Sequence, residues 1–303
     1  MKDYLNEINE LFPVRRKDSE KADFYNYVRT ELGSERCVKE ILEKKHHNIV
    51  IGDIEKAKVI FTAHYDTPSR SLVPNLMFPT GKLIGTLYHL IFPITMALFS
   101  LFAAVFITVL AGIDEIYAPI FYLFIYFGLF YATTRMLPNK HNKNDNTSGV
   151  ATIMSLATEY NESDVAFVLF DNEEKGLLGS KAFSKYHKDT IDSKLIINFD
   201  CFCNGNQMIF VAKELAEKLP EYEILKATVT DDDGFEVHYV PVKKALSNSD
   251  YKSFNCGIGV LASHKVPIFK LCTGRIHTAR DTVTDSKNVY FLTNKMLGFV
   301  KKI

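Results

Sequence analysis

The sequence predicts an α/β fold, a three-layer α/β/α sandwich with a mixed, largely parallel sheet. Short apolar runs with the composition of strands alternate with stretches of helical periodicity, which is the pattern of a sheet covered by helices. Several of these runs end at a histidine or a carboxylate, and the functional groups of such sheets gather beyond the carboxyl ends of the strands. The chain has 303 residues, of which 47% are hydrophobic, so it can bury a sizeable core.

The N-terminal part combines predicted helices with two predicted strands. Residues 1–45 are predicted to be helical, because two sets of apolar side chains recur at helical spacing. These sets are Leu5, Ile8 and Leu11, and then Phe24, Tyr27, Val28 and Leu32. Two β-rich runs follow at 48–52 and 58–63, and the second leads directly into His64.

After an apolar insertion, a polar loop at 139–145 precedes a second series of alternating elements. Helices are predicted at 147–157, 176–186, 250–255 and 288–300. Strands are predicted at 165–170, 195–199, 236–240 and 258–262, with a strand or loop at 268–272. We therefore expect residues 1–82 and 138–303 to form one discontinuous domain, with residues 83–137 inserted into it.

The insertion at 83–137 is predicted to be a two-helix transmembrane hairpin. Residues 83–113 contain no Asp, Glu, Lys or Arg, and residues 116–134 form a second uncharged run after Asp114 and Glu115. About 20 apolar residues cross the hydrocarbon layer as a helix, so both runs are long enough. A buried helical hairpin in a soluble core is the alternative, but such helices normally keep a polar stripe, and these runs show almost none.

Basic residues flank the predicted hairpin, whereas its connection carries only the acidic Asp114 and Glu115. The flanking basic residues are Arg70, Lys82, Arg135, Lys140 and Lys143. Positively charged residues stay on the cytoplasmic side of a membrane. We therefore expect a multi-pass protein of the cell membrane, in contact with the lipid bilayer through residues 83–137, whose other segments face the cytoplasm. The N-terminal residues lack the basic-then-apolar layout of a signal peptide.

The charge balance and the cysteine content indicate which ligands and which redox compartment suit the protein. Lys and Arg together number 36, as do Asp and Glu, so the formal net charge is zero and no surface for nucleic acid is indicated. The five cysteines are odd in number and widely spread, which is not the pattern of a disulfide framework and favours a reducing compartment.

Short polar segments supply residue types that bind divalent metal ions. They are His64-Tyr65-Asp66, Asp145, Glu173-Glu174, Asp200 and His277. Imidazole and carboxylate ligands together suit zinc or a similar first-row ion rather than calcium or magnesium. A lone strand-end carboxylate is most often a helix cap or a solvated loop residue. Because several histidines and carboxylates occur together at successive strand ends, a metal site is the better interpretation.

The spacing of these residues indicates different roles. His64 and Asp66 lie two apart on an extended segment, so His64 can bind metal while Asp66 orients it from behind. Asp145 lies in a polar loop, where its two oxygens suit it to bridge two ions. Glu173 and Glu174 are adjacent and point in different directions, so one can bind metal while the other accepts a proton from the attacking water.

The longer motifs around these residues resemble those of metallopeptidase family 28, the zinc aminopeptidases that include bacterial leucyl aminopeptidases. The motifs are His64-Tyr65-Asp66, Asn144-Asp145-Asn146-Thr147-Ser148-Gly149, Asn172-Glu173-Glu174-Lys175-Gly176-Leu177-Leu178-Gly179-Ser180, Asn198-Phe199-Asp200 and His277-Thr278. The resemblance covers about 59–281, apart from the insertion. It implies a fold of the zinc exopeptidase type, a peptide substrate, removal of N-terminal residues and two divalent metal ions, expected to be Zn²⁺.

The resemblance also implies how the metal ions are held. Asp145 would bridge the two ions. His64 and Asp200 would complete the first metal site, and Glu174 and His277 the second. Since the insertion lies between the His64 strand and the Asp145 loop, we expect the membrane to lie close to the mouth of the active site.

The remaining site residues follow from the same resemblance. Glu173 would be the general base, and Asp66 would support the site. Tyr251 lies in a segment similar to the family's Ser-Asp-x-x-x-Phe motif and is a candidate for substrate binding, with a structural role as the alternative. Asp281, four residues after His277, is expected to orient that histidine.

Two other functions are considered. A glutaminyl-cyclase-like acyltransferase would use a single zinc, and those relatives lack a histidine equivalent to His64. A non-catalytic membrane scaffold relative would have lost its metal ligands, whereas all five ligands and the base occur in this chain. Metal content distinguishes the three hypotheses, because they require two ions, one ion and none.

Overall fold

The computed structural model describes residues 2–73, 75–267, 270–282 and 286–303. Its helices are α1 (Tyr4–Leu11), α2 (Asp18–Leu32), α3 (Lys82–Ala111), α4 (Ala118–Thr134), α5 (Ser148–Glu159), α6 (Leu178–Tyr186), α7 (Lys188–Ile191), α8 (Pro220–Thr228) and α9 (Ser286–Val300). Its strands are β1 (Cys37–Leu42), β2 (His46–Ile51), β3 (Val59–His64), β4 (Ser69–Arg70), β5 (Leu137–Pro138), β6 (Val165–Phe170), β7 (Leu195–Phe199), β8 (Gln207–Ala212), β9 (Glu236–Pro241), β10 (Gly257–Val266) and β11 (Lys270–Cys272). Short helical turns lie at Glu115–Tyr117, Lys143–Thr147, Ala216–Lys218, Val242–Lys244 and Asp250–Ser253.

A nine-stranded mixed sheet forms the centre of the described fold, in the order β1-β2-β6-β3-β7-β10-β8-β9, with β11 paired to β10. The central strands β6, β3, β7 and β10 run parallel to one another, whereas β1, β2 and β8 pair antiparallel with their inner neighbours. The predicted mixed, largely parallel sheet is confirmed. The carboxyl ends of β3, β6 and β7 therefore meet at one edge of the sheet, where His64, Glu173 and Asp200 follow.

Helices cover the sheet on both faces, which confirms the three layers. Alternate residues of a strand point to opposite faces, so Phe61 of β3 packs under α5 and α9 while its neighbour Ile60 packs with Phe183 of α6. The larger core cluster also contains Phe24 of α2 and Phe299 of α9. The central strands are buried along their whole length, so the strand ends are held rigidly.

The prediction of helix throughout residues 1–45 is wrong after Leu32. Gly33 adopts a φ of 91°, which a glycine allows at the end of a helix, and α2 ends there. Residues 37–42 form the edge strand β1, because antiparallel pairing with β2 satisfies their backbone groups. The predicted segment from Ile268 begins outside the described residues, and its described part is β11.

Helices α3 and α4 form an antiparallel pair within the insertion. Both are long and apolar enough to cross a membrane, judged by length and composition. Helix α3 ends at Gly112, whose φ is 61°, and Asp114 caps the next turn by accepting from the backbone N–H of Ile116. Many large apolar side chains point outwards, and Phe102 and Phe124 are 74% and 75% exposed. These helices are not the buried core hairpin that was the alternative.

The insertion joins the rest of the fold through a two-stranded sheet. Strand β4 pairs with β5, so that Ser69 faces Pro138 and Arg70 faces Leu137. The backbone N–H of Leu72 also donates to the carbonyl oxygen of Thr133, at 2.8 Å. The two chain segments that lead into and out of the insertion are thereby held together beside the ends of β3 and β6.

Candidate functional site

His64 is the last residue of β3 and is almost completely buried. Its Nδ1 lies 3.1 Å from the backbone oxygen of Asp66, which favours a proton on Nδ1. Its Nε2 then faces Asp145 and Asp200, with Oδ1 atoms at 3.3 and 3.7 Å. The local turn after β3 thus directs the unprotonated nitrogen of the imidazole towards two carboxylates.

Asp66 is connected to the turn that carries the two glutamates. One of its carboxylate oxygens accepts the backbone N–H of Glu173 at 3.0 Å, and the other accepts that of Glu174 at 3.2 Å. The preceding residue, Asn172, has a φ of 55°, which is uncommon for a residue other than glycine and fits the reversal of the chain after β6. Asp66 therefore positions the glutamate pair through the backbone, in addition to its contact with His64.

Asp145 lies in the irregular turn between β5 and α5, and its two oxygens face different histidines. Oδ1 is 3.3 Å from His64 Nε2, and Oδ2 is 2.9 Å from His277 Nε2. The carboxylate of Asp281 accepts the backbone N–H groups of Asn144 and Asp145, both at 3.0 Å. Both oxygens of Asp281 hold the Asp145 loop, and the expectation that Asp281 orients His277 stays a prediction.

The five predicted ligands form two groups that share Asp145. His64, Asp145 and Asp200 each offer a ligand atom, and so do Asp145, Glu174 and His277, with the atoms of each group within 4.8 Å of one another. A third such group contains His64, Glu173 and Glu174. The site is open on one side, since the side chain of His277 is 33% exposed.

Burial and neighbouring charge shift the pKa values of these groups. Burial raises the pKa of Glu174; the charge of His277 opposes the shift, Asp145 adds to it, and the net pKa is about 7. Burial also raises the pKa of Glu173 well above its ordinary value, although the charge of His64 opposes this. Burial works against a charged His277, but Glu174 and Asp145 outweigh it and raise its pKa to about 10. The buried carboxylates of the site thus outnumber the histidines that could neutralise them.

The donor set fits divalent metal ions of the zinc type. Oε1 of Glu174 and Oδ1 of Asp200 are buried and accept no hydrogen bond from the described part of the chain. A buried carboxylate oxygen normally has a donor or a cation. Histidine nitrogens and carboxylate oxygens at these positions are ligands that zinc accepts. A cation between them would satisfy both the orphaned oxygens and the excess of negative charge.

Tyr251 is packed into the core within electrostatic range of the ligands: burial raises the pKa of its hydroxyl, and the charge of Asp200 adds to this shift. Its side chain is fully buried in a cluster with Ile209 and Leu261, and its ring packs directly on Gly259 of β10. A β-carbon at Gly259 would lie 2.5 Å from the tyrosine ring. These contacts favour the structural role for Tyr251 over the substrate-binding one.

Two buried basic residues support the site, and the sequence did not distinguish them from other basic residues. Arg15 is fully buried, and its guanidinium donates to the backbone oxygen of Tyr65 and to Thr147 Oγ1. Lys21 is 2% exposed, with Nζ 2.5 Å from Asp171 Oδ1 and 3.0 Å from Asn172 Oδ1. Both come from the N-terminal helical segment, whose pairing with distant loops has no local sequence signal.

Solved structures with a similar fold include aminopeptidases and glutaminyl cyclases. The LapA aminopeptidase of Legionella pneumophila matches with a TM-score of 0.55 and 15% identity, over 98% of this chain and 69% of that chain. The glutaminyl cyclase of Porphyromonas gingivalis matches with a TM-score of 0.56 and 11% identity, over 99% and 96% of the two chains. The zinc aminopeptidase BSAP of Bacillus subtilis matches with a TM-score of 0.50 and 14% identity, over 84% and 50%.

At these identities the similarity establishes the shared fold alone. A search of curated proteins found no match. The family model of peptidase family M28 matches residues 137–294, which is more than half of the chain and includes the segments of Asp145, Glu174, Asp200 and His277. The resemblance inferred from the sequence motifs is therefore confirmed, and the chain belongs to peptidase family M28.

Proposed function

We propose that the protein is a membrane-anchored dizinc aminopeptidase that removes N-terminal residues from peptides. The main support for this proposal is that Asp145 belongs to two groups of ligand atoms. One group also contains His64 and Asp200, and the other contains Glu174 and His277. A carboxylate with one oxygen towards each group is the arrangement that a bridging ligand requires. Its family and the aminopeptidases that share its fold support the same class of reaction.

Paired zinc ions lower the pKa of water and polarise a carbonyl group. The chain's own residues would then position the substrate and move protons. Glu173 is the proposed general base, since it lies next to a ligand and burial raises its pKa well above the ordinary value, which favours a carboxylate that takes up a proton. Its carboxylate would take a proton from the attacking water and deliver it to the nitrogen of the leaving amine. Asp66 would hold Glu173 in place by accepting its backbone N–H.

Cleavage at the N-terminus of a peptide, rather than within it, is inferred from the family resemblance. Removal of N-terminal residues requires recognition of the free α-ammonium group of a peptide. An acetylated N-terminus carries no such charge. Peptides with a free N-terminus should therefore be cleaved, and their acetylated counterparts should not. Equal cleavage of the two would contradict the proposed exopeptidase activity.

The membrane anchor is proposed from α3 and α4. Their length, apolar composition and exposed side chains suit lipid as the surrounding medium. The basic flanks support a cytoplasmic location for the catalytic residues. We further propose that residues 1–82 and 138–303 form the catalytic domain and that residues 83–137 form the anchor.

A single-zinc acyltransferase is the second candidate, because the P. gingivalis glutaminyl cyclase shares the fold over almost the whole of both chains. The position of His64 favours the dizinc hydrolase, since its Nε2 faces Asp145 and Asp200 and completes a second group of ligands. Metal content and product distinguish the two candidates. Two ions per chain with release of a free N-terminal residue supports the aminopeptidase, and one ion with formation of pyroglutamate supports the cyclase.

A further inference from the structure

A cavity of about 500 Å³ lies beside the loop that carries His277. Its lining includes Arg275 and Thr278, which flank His277 in the sequence, together with Arg70 and Ser71 at the root of the insertion. Small-molecule sites have volumes of about 300–1,000 Å³, so the cavity suits a side chain or a short peptide end.

The cavity combines apolar walls with guanidinium groups. Leu72, Leu76 and Val266 contribute apolar surface, and Arg70, Arg275 and Arg280 contribute charge. In the described ranges, none of these three arginines forms an ion pair with a carboxylate, and Nε of Arg70 is buried without a hydrogen-bond partner. The carboxylate of Asp281, next to Arg280, is occupied by the backbone of Asn144 and Asp145. Three arginines thus line one cavity, and in the described chain no carboxylate forms an ion pair with them.

The cavity wall is fixed to a candidate metal ligand. The backbone N–H of Ser71 donates to the carbonyl oxygen of His277 at 2.6 Å. Arg275 and His277 have φ values of 73° and 58°, a left-handed conformation that non-glycine residues adopt mainly where surrounding contacts impose it. The backbone of His277 is therefore attached directly to the wall of the cavity.

We propose that this cavity binds a carboxylate of the peptide substrate close to the scissile bond. This inference rests on the proposed aminopeptidase function. The arginines of the cavity suit a negative group of the substrate. Guanidinium pairs with carboxylate through two parallel hydrogen bonds, and apolar walls strengthen them by excluding water. The carboxylate can come from an acidic side chain next to the scissile bond or from the C-terminus of a dipeptide.

An anionic lipid headgroup would share part of this chemistry. The arginines line a cavity whose wall includes Arg275 and Thr278, on either side of His277 in the sequence, rather than a flat face around α3 and α4, and this favours the substrate. The experiment must therefore distinguish binding of a lipid headgroup from binding of a substrate carboxylate.

The test measures kcat/KM of the zinc-loaded full-length protein in detergent on matched substrate pairs. The pairs are Glu-Ala-amide against Gln-Ala-amide, Ala-Glu-amide against Ala-Gln-amide, and Ala-Ala against Ala-Ala-amide. We expect the charged member of at least one pair to be preferred by about tenfold or more, as charge-assisted hydrogen bonds allow. Arg70→Gln and Arg275→Gln should bring that ratio towards one. The control, Arg29→Gln, removes an exposed arginine of α2 and should leave the ratio unchanged.

Each outcome decides the inference. A wild-type ratio near one in all three pairs, with every peptide still cleaved, would overturn the inference and leave the aminopeptidase proposal intact. Absence of cleavage of every peptide would instead refute the proposed function. A preference that persists in both arginine variants would place the recognition elsewhere. If the variants change activity only in nanodiscs that contain phosphatidylglycerol, and not in phosphatidylcholine or detergent, the cavity binds a lipid phosphate and the inference is wrong.

Discussion

The backbone N–H of Ser71 donates a hydrogen bond to the carbonyl oxygen of His277, at 2.6 Å. Ser71 lies in the segment that leads into the insertion, and His277 is a candidate metal ligand. Two further hydrogen bonds join the same region to loops that carry candidate ligands. Arg135 Nη1 donates to the carbonyl oxygen of Glu174, and Asn139 Nδ2 donates to that of Thr278. Both ends of the insertion thus contact the loops of one candidate metal group, so the placement of α3 and α4 bears directly on the active site.

The first prediction concerns the topology of α3 and α4. A cysteine at Asp114 should react with a membrane-impermeant thiol reagent added to intact cells, because the connection between the helices would lie outside. A cysteine at Lys140 should react only after the cells are permeabilised. Of the native cysteines, four are buried and Cys272 is partly buried, so the unsubstituted protein provides the background.

Two results would contradict this topology in different ways. Full-length protein in the soluble fraction without detergent would refute membrane insertion. The reverse labelling pattern would keep the two membrane spans but place the catalytic residues outside the cell, and the charge-bias argument would then be wrong.

The second prediction concerns Asp281, which holds the loop of Asp145. Asp281→Asn replaces one of the two acceptor oxygens with an N–H donor, so the backbone N–H of Asn144 or Asp145 loses its partner. Such groups behind a metal ligand typically change metal affinity by about 10–100-fold. We expect a loss of zinc affinity in that range, measured by competition with a chelator. Asp23→Asn, on the exposed side of α2, is the control, and equal affinities of the two variants would contradict the positioning role.

The third prediction concerns the buried pair of Lys21 and Asp171. Lys21→Met leaves the carboxylate of Asp171 buried without its cation, which typically costs about 3–5 kcal/mol. Thermal unfolding in detergent should show a correspondingly lower stability. Lys185→Met on the exposed face of α6 should change stability by no more than about 0.5 kcal/mol. A loss below about 1 kcal/mol for Lys21→Met would show that the pair contributes little.

The fourth prediction concerns the individual metal groups. His64→Ala removes a ligand atom from the group with Asp200, whereas His277→Ala removes one from the group with Glu174. Each variant should bind one zinc ion tightly, while Asp145→Ala should weaken both sites because its oxygens face both histidines. Equilibrium dialysis followed by elemental analysis measures the number of ions bound. Loss of both ions in His64→Ala alone would mean that the two groups are not separate sites.

The central sheet could be predicted because its strands carry continuous apolar runs that end at polar residues, as β3 does at His64. Strand β1 could not, since residues 37–42 contain charged and apolar residues without a clear period, and only pairing with β2 makes them a strand. Strand β8 and helix α8 were also not predicted, although Met208 to Ala212 is an apolar run.

The candidate ligands could be predicted because each lies at a strand end or in a characteristic motif. The groups that position them could not. Asp281 is close to His277 in the sequence but bonds to the backbone of Asn144 and Asp145, and Arg15 reaches Tyr65 and Thr147 across the fold. These contacts depend on how distant loops pack, and no local pattern records them.

The proposed dizinc mechanism is tested most directly by the zinc content and turnover of the wild type and the Glu173→Gln variant, measured on the same preparations. Two zinc ions per chain are expected in both proteins, because Glu173 is proposed as a proton acceptor and not a ligand. Turnover of an unblocked peptide should fall by about 10²–10⁴-fold in the variant, as for a lost acid–base group. Retained turnover, or loss of zinc from Glu173→Gln but not from Glu174→Gln, would contradict the assignment of the base and of its neighbouring ligand.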